Sequence, residues 1–319
     1  MKLDDVIFIL GAGASLPYGY PTARGLRRDI VNKYEQVLRD TSEFVKYDEE
    51  DLEDVIADTK TLVDQFESSN TESIDLFLTR TENKDFVTLG TQLIWRFIVW
   101  YELDLGKSNA KIVQEEDWYF EFFNQLTASV TKKELLKEIE IKIPFITFNY
   151  DRSLENYLFE SFRNSFSLNF AQTADVMDKV FAFYHVYGKI MNLHWENSEP
   201  KTKFKSTSTL HNLIYANSNI KLIYNEREKI PVHIQDLVKK AKRIFILGFG
   251  FADVNLNVLN LKEILAPQQL IYGSGIGMHP SRIEQIQLSL TRGTVGIKKH
   301  NIHIEPDMNN LELLRAYLF

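Results

Sequence analysis

The chain predicts an α/β fold: a doubly wound, mostly parallel sheet with an all-helical insertion. Three observations predict it. There are five short β-rich runs, helical patterns between the later ones, and a long early stretch with no β-rich run at all. The runs are residues 6–10, 143–148, 181–186, 244–247 and 270–272.

Residues 6–10 are apolar throughout, as a strand covered by helices on both faces must be. The run stops at Gly11, Ala12, Gly13, Ala14 and Ser15, and a helical pattern follows through Thr22, Leu26, Ile30 and Tyr34. Strand, glycine turn and helix open a Rossmann-like, dinucleotide-binding unit. Between 39 and 139 the character changes. Acidic, helix-favouring sequence fills 48–58, and Ser69-Asn70-Thr71-Glu72 fits a capping box ahead of Ile74, Phe77 and Leu78. An apolar helix follows over 86–105, then an aromatic segment with Trp118, Tyr119, Phe120, Phe122 and Phe123. The expectation is a helical insertion at 39–139 within a binding domain made of 1–38 and 140–319. Helical stretches at 153–161 and 234–241 separate the later β-rich runs, which implies parallel connections.

Composition narrows the function. The chain has 319 residues, 44% of them apolar, enough for an ordinary core. It has no cysteine, which excludes disulfides, iron–sulfur clusters, a thiol nucleophile and Cys-based zinc sites. His194, His211, His233, His279, His300 and His303 lack the paired spacing of metal ligands, so no metal is expected. The net charge of −7 argues against nucleic-acid binding, and the basic run at Lys239, Lys240, Lys242 and Arg243 reads as a solvated helix end. Met1 leads straight into the first run without a signal peptide, and the apolar stretch at 93–105 is broken by Arg96 and Glu102. A cytoplasmic protein without a membrane span is expected.

Ligands of parallel sheets bind beyond the carboxyl ends of the strands. Here those ends carry Gly11-Ala12-Gly13, Asn149-Tyr150-Asp151, His185-Val186-Tyr187-Gly188, Gly248-Phe249-Gly250 and Gly273-Ser274-Gly275, which predicts one shared site. Gly11 and Gly13 would let the backbone approach a pyrophosphate; the alternative is a glycine turn with no ligand. Leu16 stands where a third glycine is usual, and no acidic residue closes a second strand about twenty positions on. An ordinary nicotinamide dehydrogenase is disfavoured. Asn149 can hold a ribose hydroxyl or a water and Asp151 a carboxamide, or either can cap the next helix. His185 can deprotonate a water or a ribose hydroxyl, or be structural. No serine sits in a Gly-x-Ser-x-Gly elbow.

Taken in order, these motifs resemble a sirtuin-like domain of the kind found in bacterial antiphage NAD-consuming effectors. Gly11-Ala12-Gly13-Ala14-Ser15, with Gly19, Pro21 and Thr22, resembles the family's opening. Thr147-Phe148-Asn149-Tyr150-Asp151 resembles its TxNxD segment, with Phe148 in place of the glutamine of deacylating sirtuins. His185-Val186-Tyr187-Gly188 resembles the stretch where a catalytic histidine precedes glycine, and Gly248-Phe249-Gly250-Phe251 the turn that contacts the NAD ribose. The resemblance implies an NAD glycohydrolase that releases nicotinamide and ADP-ribose and takes NAD as substrate without a metal. Asn149, Asp151 and His185 would be catalytic. NAD would lie among Gly11, Ala12, Gly13, Ser15, Thr22, Tyr187, Gly188, Gly248, Gly250, Gly273 and Ser274. A constitutive NADase would kill its host, so control by homo-oligomer assembly or a regulatory partner protein is implied too. Two departures stand out. Tyr187 occupies the histidine position, with His185 two residues earlier on what would be the same strand face, and the four-cysteine zinc module of deacylases is missing. Deacylation is therefore not expected. Tyr187 favours the alternative, a non-catalytic module that binds NAD or ADP-ribose.

Overall fold

The β-rich runs assemble into one sheet in the computed structural model, which describes residues 3, 5–45, 48–105, 116–137, 142–222, 229–292 and 296–319. The strands are β1 (Val6–Leu10), β2 (Ile143–Thr147), β3 (Phe181–His185), β4 (Asn192–Leu193), β5 (Lys201–Thr202), β6 (Arg243–Leu247), β7 (Leu270–Ser274) and β8 (Ile302–Glu305). Six of them form the main sheet in the order β3-β2-β1-β6-β7-β8, while β4 and β5 pair separately. All its strand pairs are parallel. Phe8 stands opposite Phe145 on β2 and Phe245 on β6, so β1 is central. The order reverses between β1 and β6. Such a switch point is where doubly wound sheets take their ligands, and Gly11–Ser15 and Gly248–Phe251 leave the sheet there.

Alternation along β1 divides the apolar side chains between two cores. Ile7 and Ile9 face one, and Val6, Phe8 and Leu10 the other. The first core is covered by α1 (Ala23–Val45), α2 (Glu49–Ser68), α3 (Ile74–Arg80) and α4 (Lys84–Glu102), through side chains such as Ile30, Phe66, Phe77 and Trp95. The second is covered by α5 (Trp118–Thr127), α6 (Lys132–Leu135), α7 (Ser153–Ser165) and α8 (Phe170–Val180), through Trp118, Phe122, Leu135, Leu158 and Val176. Phe8 stacks on Phe145 at 4.8 Å and meets Phe122 edge-on at 5.4 Å. Further along come α9 (Ala216–Asn219), α10 (Val232–Lys240), α11 (Asp253–Leu259), α12 (Leu261–Ile264), α13 (Pro280–Thr291) and α14 (Asn310–Tyr317).

Among the described residues from 39 to 139 every regular element is a helix. They are divided between the two faces of the sheet: α2 to α4 on one, α5 and α6 on the other. The expected boundary at 38–39 falls inside the unbroken α1, and the one at 139–140 lies outside the described residues. The capping box expected at Ser69 is not one. Ser69 donates to the Phe66 carbonyl and ends α2, while Ser73 caps α3 by accepting from the Leu76 amide. β8 was not visible as a β-rich run because only Ile302 and Ile304 of its four residues are apolar and buried.

Candidate active site

The glycine loop is shaped by its neighbour. A Cβ on Gly13 would come within 2.9 Å of the Gly248 backbone, and one on Gly248 within 2.0 Å of the Ala14 nitrogen. Gly248 also holds φ at +57°, which glycine adopts at no steric cost. The amides of Gly11 and Gly13 donate to the Leu247 and Gly248 carbonyls, and those of Ala14 and Ser15 turn back to Gly11 and Ala12. These glycines let two loops touch backbone to backbone at the switch point. Thr22 starts α1, its hydroxyl accepting from the Gly25 amide. Gly250 is different: it is exposed and a Cβ there would meet nothing within 4 Å. Gly273 and Ser274 lie buried in β7, where a Cβ on Gly273 would press on Phe251 and the Ser274 hydroxyl donates to the Met308 carbonyl.

Residues 149 to 152 leave β2 and are each gripped by a different part of the chain. Asn149 Nδ2 donates to the Gly11 carbonyl at 3.1 Å and to Ser15 Oγ at 3.0 Å. A carbonyl only accepts, so the amide orientation follows, and Oδ1 is left buried without a partner among the described residues. Tyr150 sends its hydroxyl to Asp75. Asp151 accepts from the Ser153 amide and hydroxyl, and Tyr119 meets that hydroxyl in turn at 2.9 Å. Burial pushes the Asp151 carboxyl above its ordinary value, although Ser153 and Ser15 oppose it. Arg152 is wholly buried and clasps Glu102 of α4 through two nitrogens, at 2.9 and 2.7 Å. It also donates to the carbonyls of Asn192, Thr202 and Lys203 and the hydroxyls of Thr202 and Thr209.

His185 and Tyr187 do not share a pocket. β3 ends at His185, and the chain then turns through Gly188 at φ +77°, so the two-residue strand period does not reach Tyr187. Gly188 is obliged by a close crossing, since a Cβ there would fall 1.7 Å from the Asn219 carbonyl oxygen. Tyr187 lies on the α4 side, edge-on to Phe148 at 5.3 Å, with its hydroxyl on Asn255 at 2.8 Å. His185 lies with Asn149. Its Nδ1 is 2.9 Å from the Asn149 carbonyl and must donate, and its Nε2 is 2.7 Å from Glu155 Oε1. Burial pushes the Glu155 carboxyl up, but the charge and hydrogen bond of His185, with Lys189 beyond, outweigh it and hold the group below its ordinary value. An ionised Glu155 requires Nε2 to donate as well. Both ring nitrogens of His185 are thus engaged, one on the Asn149 carbonyl and one on Glu155, and the base role expected of it requires the Glu155 contact to open.

Glu155 was not singled out in the sequence; position 155 lies one helical turn beyond Asp151 and carries no signal of a partner at 185. Its depressed value gives a pH test. A carboxyl lowered on folding contributes stability above its unfolded value and loses that contribution as pH falls through the folded one. Glu155→Gln should therefore melt lower than the unsubstituted protein at neutral pH, with the gap closing on acidification below the usual carboxylate range. Thermal melts across that range check it; a gap that widens toward acid would contradict the pairing.

The space among Ser15, Asn149, Asp151 and Glu155 is about 10 Å³, room for roughly one water. Beside it Ala12 and Gly13 are half-buried and Gly250 is exposed. The described residues contain no group of His, Asp and Glu able to hold a metal ion, and none of their helices is long and apolar enough to cross a membrane.

No curated protein matches the chain. A family model described as a SIR2-like domain matches residues 144–269, a span holding Asn149 to Arg152, His185, Tyr187 and Gly248 to Phe251 but not the loop at Gly11. The match supports a sirtuin-like domain there, with NAD-related activity suggested by it.

Proposed function

We propose that the protein is an NAD glycohydrolase, acting as an antiphage defence effector. The observation that carries this reading is Asn149, whose amide ties the Gly11–Ser15 loop to the Asn149–Asp151 segment at the switch point and leaves Oδ1 unpartnered. In the reaction the bond between nicotinamide nitrogen and ribose C1′ breaks, nicotinamide leaves with the bonding pair, and water adds to an oxocarbenium-like C1′. The water's proton goes to solvent. Asn149 orients the water or the ribose, Asp151 holds the carboxamide, and His185 with Glu155 holds Asn149. Gly11, Ala12, Gly13 and Ser15 border the pyrophosphate, with Gly248, Gly250, Gly273 and Ser274 across the crevice and Thr22, Tyr187 and Gly188 at its edge. Unchecked NAD loss would kill the host, so self-assembly or a partner protein restrains the activity.

A second reading is favoured by Tyr187, which stands where the family's histidine would, and by the engaged nitrogens of His185: a module that binds NAD or ADP-ribose without turnover. Incubation of purified protein with NAD separates the two by release of nicotinamide.

Binding itself is tested at Gly250 rather than Gly13. Gly13→Val would disrupt the contact with Gly248 whether or not a ligand binds there. Gly250→Val adds bulk to open space, so its melting temperature should stay near that of the unsubstituted protein. NAD affinity should fall about tenfold or more, a loss of about 1.4 kcal/mol. Unchanged affinity in calorimetry would place the dinucleotide elsewhere.

A further inference from the structure

Tyr150 stands between Asn149 and Asp151 but faces the opposite side of the sheet. Its ring belongs to the core that holds Phe148 and Tyr187, whereas Asn149 and Asp151 lie beneath Tyr119. Its hydroxyl donates to Asp75 Oδ1 at 2.5 Å, with the Lys221 carbonyl at 3.5 Å, and its own carbonyl accepts from the Ile190 amide at 3.1 Å. Asp75 lies in the first turn of α3, 75 positions away in the chain. A hydrogen bond to a carboxylate is shorter and stronger than one between neutral groups. Burial raises the Asp75 carboxyl against the pull of Tyr150.

The strand end is thus held from two sides. On one face His185 grips the Asn149 carbonyl; on the other Asp75 grips the Tyr150 side chain. Rotation of the 149–151 backbone would break one bond or the other. We propose that Asp75 is a positioning residue for the reaction, acting through Tyr150 to hold Asn149 in register, so that the helical layer sets the geometry of the site. The inference rests on the glycohydrolase reading and assigns α3 a part in it.

The test uses the full chain with Asp75→Ala, Asp75→Asn, Tyr150→Phe and the double variant Asp75→Ala/Tyr150→Phe. Nicotinamide release is followed against NAD concentration. Each single change to Ala or Phe should lower kcat about tenfold at a nearly constant KM, because alignment is lost and not binding. Asp75→Asn keeps an acceptor oxygen for the Tyr150 hydroxyl and should recover much of kcat. The double variant should be no slower than either single, as for two groups acting as one unit. Losses that multiply in the double variant, or single variants within about twofold of the unsubstituted kcat, would overturn the proposal. Should Asp75→Ala fail to fold, Asp75→Asn and Tyr150→Phe carry the comparison. Hydrogen exchange over 147–152 gives a readout that needs no turnover. Faster exchange in Tyr150→Phe is expected, and unchanged exchange would refute the positioning role even if NAD is hydrolysed. Absence of nicotinamide release from the unsubstituted protein would instead refute the glycohydrolase reading.

Discussion

Arg152→Ala should destabilise the protein by about 3–5 kcal/mol, the cost of leaving one partner of a buried ion pair uncompensated. For a chain of this size that lowers the melting temperature by roughly 4–8 °C. Arg152 and Glu102 both have fully buried side chains, and the Lys205 amide donates to the same Glu102 oxygen that Arg152 Nη2 reaches. Arg152→Lys should fare little better than Ala. An ammonium is a point donor, whereas the guanidinium fork reaches Glu102, several backbone carbonyls and two hydroxyls at once. The double variant Arg152→Met/Glu102→Met separates the ion pair from the wider hub. Replacing a buried pair by apolar residues is often neutral, but here the carbonyls of Asn192, Thr202 and Lys203 would lose their donor. Recovery should therefore be partial in denaturant melts. Full recovery would mean that Arg152 serves Glu102 alone.

That hub illustrates what can and cannot be read along a chain. The strand runs were legible because buried parallel strands are apolar without interruption, as 6–10 and 244–247 are. The glycines at 11, 13 and 248 were legible as a turn motif, but not the reason for them, which is the approach of two loops 235 positions apart, 13 to 248. Asn149 and Asp151 stood out because polar groups end an apolar strand. Their supports did not. Glu102, Asp75 and Glu155 meet partners 50, 75 and 30 positions away, and nothing local distinguishes a carboxylate that will be buried from one that will not. The step from Tyr187 back to His185 failed for another reason: a period of two holds only while the strand lasts, and β3 stops at His185.

The change expected to matter most for chemistry is Asn149→Ala. It should lower nicotinamide release by about a hundredfold or more, as loss of a positioning group does when alignment governs attack. The fold should survive. The Gly11 carbonyl keeps the Ala14 amide as a donor at 2.9 Å, and Ser15 retains its interaction with Asp151. The cost in stability is then about 1–2 kcal/mol, that of a hydrogen bond lost without stranding both partners. Asn149→Asp is the sharper control, because it preserves size and inverts the donor. A carboxylate oxygen would face the Gly11 carbonyl oxygen, so the loop would be pushed away from the strand end and NAD affinity should fall together with turnover. If Asn149→Ala retains full turnover while Asn149→Asp loses binding, Asn149 is a tether between loop and strand and nothing more. If Asn149→Ala binds NAD normally and releases no nicotinamide, the Asn149 side chain serves turnover and not binding.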